Sequence, residues 1–306
     1  MMMRVAGVCA LSLGWFIALG GPASAGPDKL KHERVANQQP GSAKLPEPAN
    51  ERLQLATALL DRLHVPHALQ GWKAMLTAAA PDCGCNGPAK AELATAWTTA
   101  VGRAYDSARL YDALRGAMAG SFSPADLRKS LAFRDTPLGR KITALEKPVA
   151  VDQKDAASAQ LAILQGAQAL DADPVRKKVV EEIVAASGGA KTLVATLLNV
   201  SIGASTGANA ATPAGQPRMS DEQILEAIEA RRAPMVQVMK FAIVGMYAVK
   251  FKSLSLNELQ RYRNEAVSPL EIELRDVFME AFNRELRAQS IDIGTHFAKE
   301  MSGRSL

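Results

Sequence analysis

The residues whose chemistry is most distinctive are two cysteines separated by one glycine. Cys83 and Cys85 lie in the stretch Asp82–Pro88, whose Gly, Asn and Pro content predicts a loop. In an oxidising compartment, thiols so close together can form a small, strained disulfide that is easily reduced. We interpret the pair as a local structural bridge. Reduced or intermolecular cysteines, or a thiol-exchange or metal site, are the alternatives, and no thioredoxin-like βαβ pattern supports redox work.

Two histidines just before this loop raise the question of a metal site. His64 and His67 flank Val65-Pro66, so with the two cysteines the region holds four side chains that zinc accepts as ligands. The spacing matches no standard zinc module, and Pro66 interrupts the helical face that would align the imidazoles. We therefore predict turn or solvent histidines and no metal.

Other catalytic patterns are missing from the sequence. It has no Gly-x-Ser-x-Gly elbow, no His-Glu-x-x-His, no phosphate-binding loop and no dinucleotide fingerprint. Adjacent acids such as Glu181 and Glu182 point in different directions on a helix. We predict no catalytic residue and no cofactor, hence a protein that is not an enzyme.

The charge pattern argues against nucleic acid as a partner. Lys and Arg number 36 and Asp and Glu 31, a formal net charge of +5 over 306 residues. The basic residues alternate with acidic ones at helical spacing, which is typical of a solvated helix surface.

The N-terminus has the features of a secretory signal. Arg4 precedes the apolar stretch 5–19, and Ala23-Ser24-Ala25 offers a cleavage site before Gly26. The apolar stretch is short for a membrane span, which needs about 20 residues. We predict cleavage after residue 25, a periplasmic mature chain and no transmembrane segment within it.

The rest of the chain is predicted to be all-α. Residues 26–48 are polar and Pro-rich and should form a flexible arm. Apolar residues then recur near the helical period, which predicts helices over Asn50–Leu63, from Pro66 to near Pro81, and over Ala89–Ala119. No alternating stretch typical of a β-strand is evident.

Capping residues predict the starts of four further helices. Ser123 with Asp126, and Ser255 with Glu258, have the spacing in which a hydroxyl caps the first turn and an acid follows at the third position. Thr136-Pro137 and Ser268-Pro269 place a capping hydroxyl before a proline at the first helical position.

The second half of the chain holds four more predicted segments before Ser255. Pro174–Ser187 and Lys191–Ile202 should be helices, and Gly203–Pro217, rich in small and polar residues, should be a loop. Ser220 should begin one long helix that ends near Phe251.

The two halves align without a gap at a shift of 132 residues. The segment Phe122–Leu127 falls on Leu254–Leu259, and Thr136-Pro137 falls on Ser268-Pro269. An internal duplication is the economical explanation.

One segment resembles a known protein family. Its pattern consists of Phe122, Ser123, Asp126, Leu127, Phe133, Thr136, Pro137 and Gly139. Over about 97–145, the chain resembles the family called domain of unknown function 2059, whose members are exported bacterial helical proteins. The second copy, over about 229–286, departs from the pattern, with Glu265 opposite Phe133 and Glu271 opposite Gly139. The resemblance implies fold and export, but no activity. Helix caps and core packing suffice to explain the motif.

These observations predict two related helical subdomains, 49–148 and 174–306, joined by residues 149–173. The leading functional hypothesis is a non-enzymatic periplasmic protein that binds an envelope protein or associates with itself. A thiol or metal factor centred on Cys83 and Cys85 is one alternative, and a peripheral membrane-binding protein is another.

Overall fold

The computed structural model describes residues 47–80, 87–146, 156–213 and 215–302, without the side chains of 47–49 and 156–159. Helices account for nearly all of this part of the chain, and it contains no strand, which confirms the predicted all-α class. The helices are α1 (Glu47–Arg62), α2 (Val65–Ala78), α3 (Pro88–Ala104), α4 (Ser107–Ser121), α5 (Pro124–Asp135), α6 (Pro137–Glu146), α7 (Ala156–Asp171), α8 (Pro174–Ala186), α9 (Gly189–Ala210), α10 (Asp221–Glu229), α11 (Arg232–Lys250), α12 (Leu256–Ala266) and α13 (Pro269–Ser302).

The single helix predicted over Ala89–Ala119 is wrong, because the chain turns at Tyr105 and Asp106 between α3 and α4. Asp106 caps α4 by accepting hydrogen bonds from two backbone amides. The turn is fastened to α13 by the buried Gln289, whose Oε1 accepts from the Asp106 amide at 2.9 Å and whose Nε2 donates to the Asp106 carbonyl at 3.0 Å. A distant amide side chain therefore supplies the acceptor for the Asp106 amide that a continuous helix would have provided.

The long helix predicted from Ser220 to Phe251 is also interrupted. α10 ends at Glu229 and α11 begins at Arg232. Pro234 explains the break, because proline has no amide hydrogen and its ring clashes with the carbonyl four residues earlier. The capping box of Ser220 with Gln223 is present as predicted.

The loop predicted over Gly203–Pro217 is wrong for its first half, since α9 continues to Ala210. Small residues there serve a close contact between helices rather than a turn. A Cβ on Gly207 would lie 1.9 Å from the Ile291 carbonyl oxygen of α13, and a Cβ on Gly294 would lie 1.9 Å from the Ala204 carbonyl oxygen of α9. The two backbones meet at a distance that only glycine permits.

Hydrophobic packing interlocks the two halves of the sequence. The largest cluster joins α1–α4 to α13, through contacts such as Trp72 on Phe282 and Trp97 on Phe297. A second cluster joins α6 to α8, α11 and α12, through residues such as Ile142 and Phe251. The last helix of the first half, α6, thus packs in a core of the second half, and the last helix of the second half, α13, packs in the core of the first. Both clusters therefore contain residues from each side of the predicted connection, 149–173.

One helical stretch, Pro174–Ala210, is long and apolar enough to cross a membrane by length and composition, with a mean hydropathy of 1.4 in its best window. It bends at Gly188 between α8 and α9, and 44% of that window is buried in the fold. Packing of α9 against α13 buries part of this apolar surface.

Candidate functional site

A cavity of about 130 Å³, partly open to solvent, lies where α5 and α6 of the first half meet α12 and α13 of the second. Its apolar lining comes from several helices of both halves and includes Leu59, Met118, Phe133, Ile142, Ile183 and Phe278. Its ionisable lining consists of Arg134, Glu146, Tyr247, Tyr262, Glu265, Glu271 and Arg275. A pocket that combines apolar walls with a few converging polar groups is the usual form of a ligand site.

The motif of the first half builds one wall of this cavity. Ser123 and Asp126 form a capping box at the start of α5, and Leu127 behind them is fully buried. The Thr136 hydroxyl accepts a hydrogen bond from the Gly139 amide at 2.9 Å, so it caps α6 as predicted. The short α5 therefore ends where Phe133 can face the cavity.

Gly139 fits its position for a steric reason. A Cβ there would lie 2.1 Å from the Phe133 carbonyl oxygen, so any side chain would push α6 away from α5. Pro137 begins α6 two residues earlier, and Phe122 is buried at the end of α4. Gly139 therefore allows the close approach of α5 and α6, two helices that line the cavity.

The second-half caps are also present. Ser255 and Glu258 form a capping box on α12, and the Ser268 hydroxyl accepts from the Glu271 amide at 3.3 Å ahead of Pro269 in α13. The Glu258 carboxylate also accepts from the Lys141 ammonium of α6 at 2.8 Å. This hydrogen bond and the backbone cap lower the pKa of Glu258 to about 2. Glu258 thus ties the two halves together as well as capping a helix.

The main polar feature of the cavity is an ion pair between the halves. Arg134 of α5 donates two hydrogen bonds to the Glu271 carboxylate of α13, at 3.0 and 2.8 Å, and the buried Ser130 hydroxyl donates a third at 2.6 Å. Burial by itself would raise the pKa of Glu271, but the charge and hydrogen bonds of Arg134 outweigh it and the pKa is lowered. Burial likewise works against the charge of Arg134, and Glu271 outweighs it, so its pKa is raised.

A second polar contact crosses the same junction. The Tyr262 hydroxyl of α12 donates to the Glu146 carboxylate of α6 at 2.7 Å. Burial first, and the Glu146 charge second, raise the pKa of Tyr262 well above its ordinary value. Burial lowers the pKa of Lys250 to about 8, and Glu146 only partly opposes this effect. Burial therefore favours the neutral form of both side chains more than in exposed residues.

Two charged groups of the lining have unused hydrogen-bonding capacity. Arg275 contacts Asp276 at 3.3 Å, but its Nε is buried without a hydrogen-bond partner among the described residues. The Glu265 side chain makes no hydrogen bond or ion pair within the described part of the chain. Burial and the nearby Glu271 charge raise the pKa of Glu265. These groups can receive a ligand that carries both a donor and an acceptor.

The predicted cysteine pair, Cys83 and Cys85, lies outside the described residues, as does the predicted signal segment, and both stay predictions. His64 adopts a left-handed backbone with φ of 55° at the turn between α1 and α2, and the imidazole of His67 follows it in α2. In the described ranges, no three His, Cys, Asp or Glu side chains cluster in a way that would hold a metal.

Sequence reasoning missed the charged lining. Arg134 occupies the last turn of a short helix, where a basic residue is expected for the helix dipole and carries no sign of burial. Glu271 is interpretable from sequence only as an acid in the first turn of α13. Their pairing joins positions 137 residues apart, and no local pattern indicates it.

No protein-family model matches the chain, and no curated protein or solved structure is significantly similar to it.

Proposed function

We propose that this chain is an exported, non-enzymatic helical protein of the bacterial envelope that binds a ligand or partner group in the cavity between α5–α6 and α12–α13. The observation that supports binding is the cavity itself, whose apolar wall faces charged groups of both halves. Its volume of about 130 Å³ is close to the roughly 150 Å³ of an engineered protein cavity that holds benzene. A group of that size would fill it. The resemblance to domain of unknown function 2059, the internal duplication and the periplasmic location belong to the same proposal.

The binding part of the proposal is tested by filling the cavity. Ala266 lines it at the end of α12, so Ala266→Leu places three more carbon atoms at its edge. Fragments of about eight non-hydrogen atoms, neutral, cationic and anionic, are screened by protein-observed NMR against the mature chain. We expect at least one class to bind at millimolar concentration to the wild type and to lose that binding in Ala266→Leu.

The matched control is Ala91→Leu on the exposed side of α3, which adds the same atoms away from the cavity and should leave binding unchanged. Absence of binding by every class, or binding that survives Ala266→Leu, would contradict the proposal. Export is tested separately by the mass of protein recovered from the periplasm, which should begin at Gly26; a product that retains Met1 would contradict it.

A second candidate is contact with a membrane surface, and an exposed apolar patch on α11 favours it. Val238 and Phe241 are 62% and 53% exposed, and Lys240 lies between them in sequence. Apolar side chains beside a cation suit the boundary between lipid headgroups and acyl chains. Sedimentation with anionic vesicles at low salt should be lost in Val238→Ser/Phe241→Ser. Equal sedimentation of both proteins, or of neither, would remove this candidate.

A further inference from the structure

The charges around the cavity restrict what can occupy it. Arg134 is committed to Glu271 through two hydrogen bonds, and Arg275 is turned in part to Asp276. Two carboxylates of the lining, those of Glu146 and Glu265, have no salt bridge to any described cation within 4 Å. Carboxylates without a cationic partner in a partly buried site favour a ligand that brings a positive charge.

The two carboxylates differ in what their surroundings supply. Glu146 accepts from the Tyr262 hydroxyl, and the charge of Lys250 acts on it from outside hydrogen-bonding range. Glu265 lies near the Glu271 charge, with Arg134 and Lys129 as the opposing cations. Because Arg134 already serves Glu271, Glu265 is the carboxylate with most to gain from an added cation.

We propose that the cavity binds the ammonium group of a small apolar amine, with the Glu265 carboxylate as its main acceptor and Glu146 as the second. This inference rests on the proposed binding function of the same cavity. The apolar part of the ligand lies against Phe133, Ile142 and Phe278, and a ring is the size that the volume admits. The guanidinium of Arg275, which lines the cavity and makes a single hydrogen bond to Asp276, offers a donor to an acceptor next to the ammonium, as in an amino-terminal residue with its carbonyl.

The test compares three ligands of similar shape: benzylamine, benzyl alcohol and benzoate. Dissociation constants are measured by protein-observed NMR at pH 7 with the mature chain. We expect benzylamine to bind at least tenfold more tightly than benzyl alcohol, and benzoate to bind more weakly than either. Equal affinity for benzylamine and benzyl alcohol, or preference for benzoate, would overturn the inference while leaving a binding cavity intact. Failure of all three to bind would count against both the inference and the proposed function.

The source of the selectivity is tested with Glu265→Gln, which keeps the shape of the side chain and removes its charge. The advantage of benzylamine over benzyl alcohol should fall toward onefold in this variant. Glu280→Gln is the matched control, because the Glu280 side chain is 80% exposed on the same helix as Glu271, and it should keep the full preference. The removed charge is partly buried and unpaired, so Glu265→Gln should fold at least as stably as the wild type, which circular dichroism and the melting temperature check. An unchanged preference in Glu265→Gln would exclude Glu265 as the main acceptor.

A last comparison distinguishes a free amine from a chain terminus. Phenylalanyl-glycine amide carries the ammonium, the ring and a carbonyl, and its N-acetylated form lacks only the charge. Tighter binding of the free-amino peptide than of benzylamine, with loss on acetylation, would assign the site to an amino-terminal aromatic residue. Binding of benzylamine alone would assign it to small free amines, and binding of the acetylated peptide as tightly as the free one would overturn the ammonium assignment.

Discussion

Replacement of Glu271 by glutamine should destabilise the protein by about 3–5 kcal/mol, because it leaves Arg134 buried without its counter-ion. The two side chains are each only 13% exposed, and Arg134 Nη2 lies 2.8 Å from Glu271 Oε2. At that distance their attraction is about 6 kcal/mol with an effective dielectric constant of about 20. Desolvation of both ions offsets most of this attraction, so the intact pair adds little to the stability of the fold. Removal of one partner is destabilising, because the other charge stays buried without a counter-ion.

The assay is urea unfolding followed by circular dichroism, together with the melting temperature. A loss of 3–5 kcal/mol corresponds to about 6–10 °C at roughly 2 °C per kcal/mol for a chain of this size. The double variant Arg134→Met/Glu271→Leu removes both charges and should recover most of the lost stability. Glu280→Gln, on an exposed carboxylate, should change stability by less than about 0.5 kcal/mol.

The same pair predicts a pH dependence. The pKa of Glu271 is lower in the folded state than in the unfolded state. Its contribution is therefore fully present above the unfolded pKa of about 4.3 and is lost as the pH falls through the folded value. Acid unfolding of Glu271→Gln should lack this component. A loss below about 1 kcal/mol in Glu271→Gln at neutral pH, or a double variant less stable than the single one, would show that Arg134 does not need Glu271 as its counter-ion.

Two further predictions concern other contacts between helices. Gly207→Val should destabilise the protein by at least about 1–3 kcal/mol, because its Cβ would collide with the Ile291 carbonyl. Gly116→Ala, with open space around it, should be neutral or stabilising by up to about 1 kcal/mol. Urea unfolding measures both variants, and equal effects would contradict the close contact of α9 with α13. By NMR, the side-chain carboxyl of Glu258 should titrate near pH 2. Its pKa should rise toward the ordinary range in Lys141→Met, because the ammonium that favours the charged carboxylate is gone. An unchanged pKa in this variant would contradict the link between α6 and α12.

The sequence predicted the helices whose first turns carry capping residues. Ser123 with Asp126, and Ser255 with Glu258, satisfy the free amides of a first helical turn within four residues, so nothing distant is needed to place α5 and α12. Prediction failed where a distant group supplied the partner. The turn between α3 and α4 depends on Gln289, 183 residues from Asp106, and small residues around Gly207 form a helix contact only because Gly294 lies opposite.

The helical class and the starts of the capped helices were set by the sequence alone, because hydrophobic period and capping act over a few residues. The cavity was decided by the tertiary structure. Arg134, Glu146, Glu265 and Glu271 are ordinary helix-surface residues in sequence, and they become a site only because α6 and α13 each pack against the opposite half. Burial changes the cost of their charges, and burial is a property of the packed chain rather than of any segment.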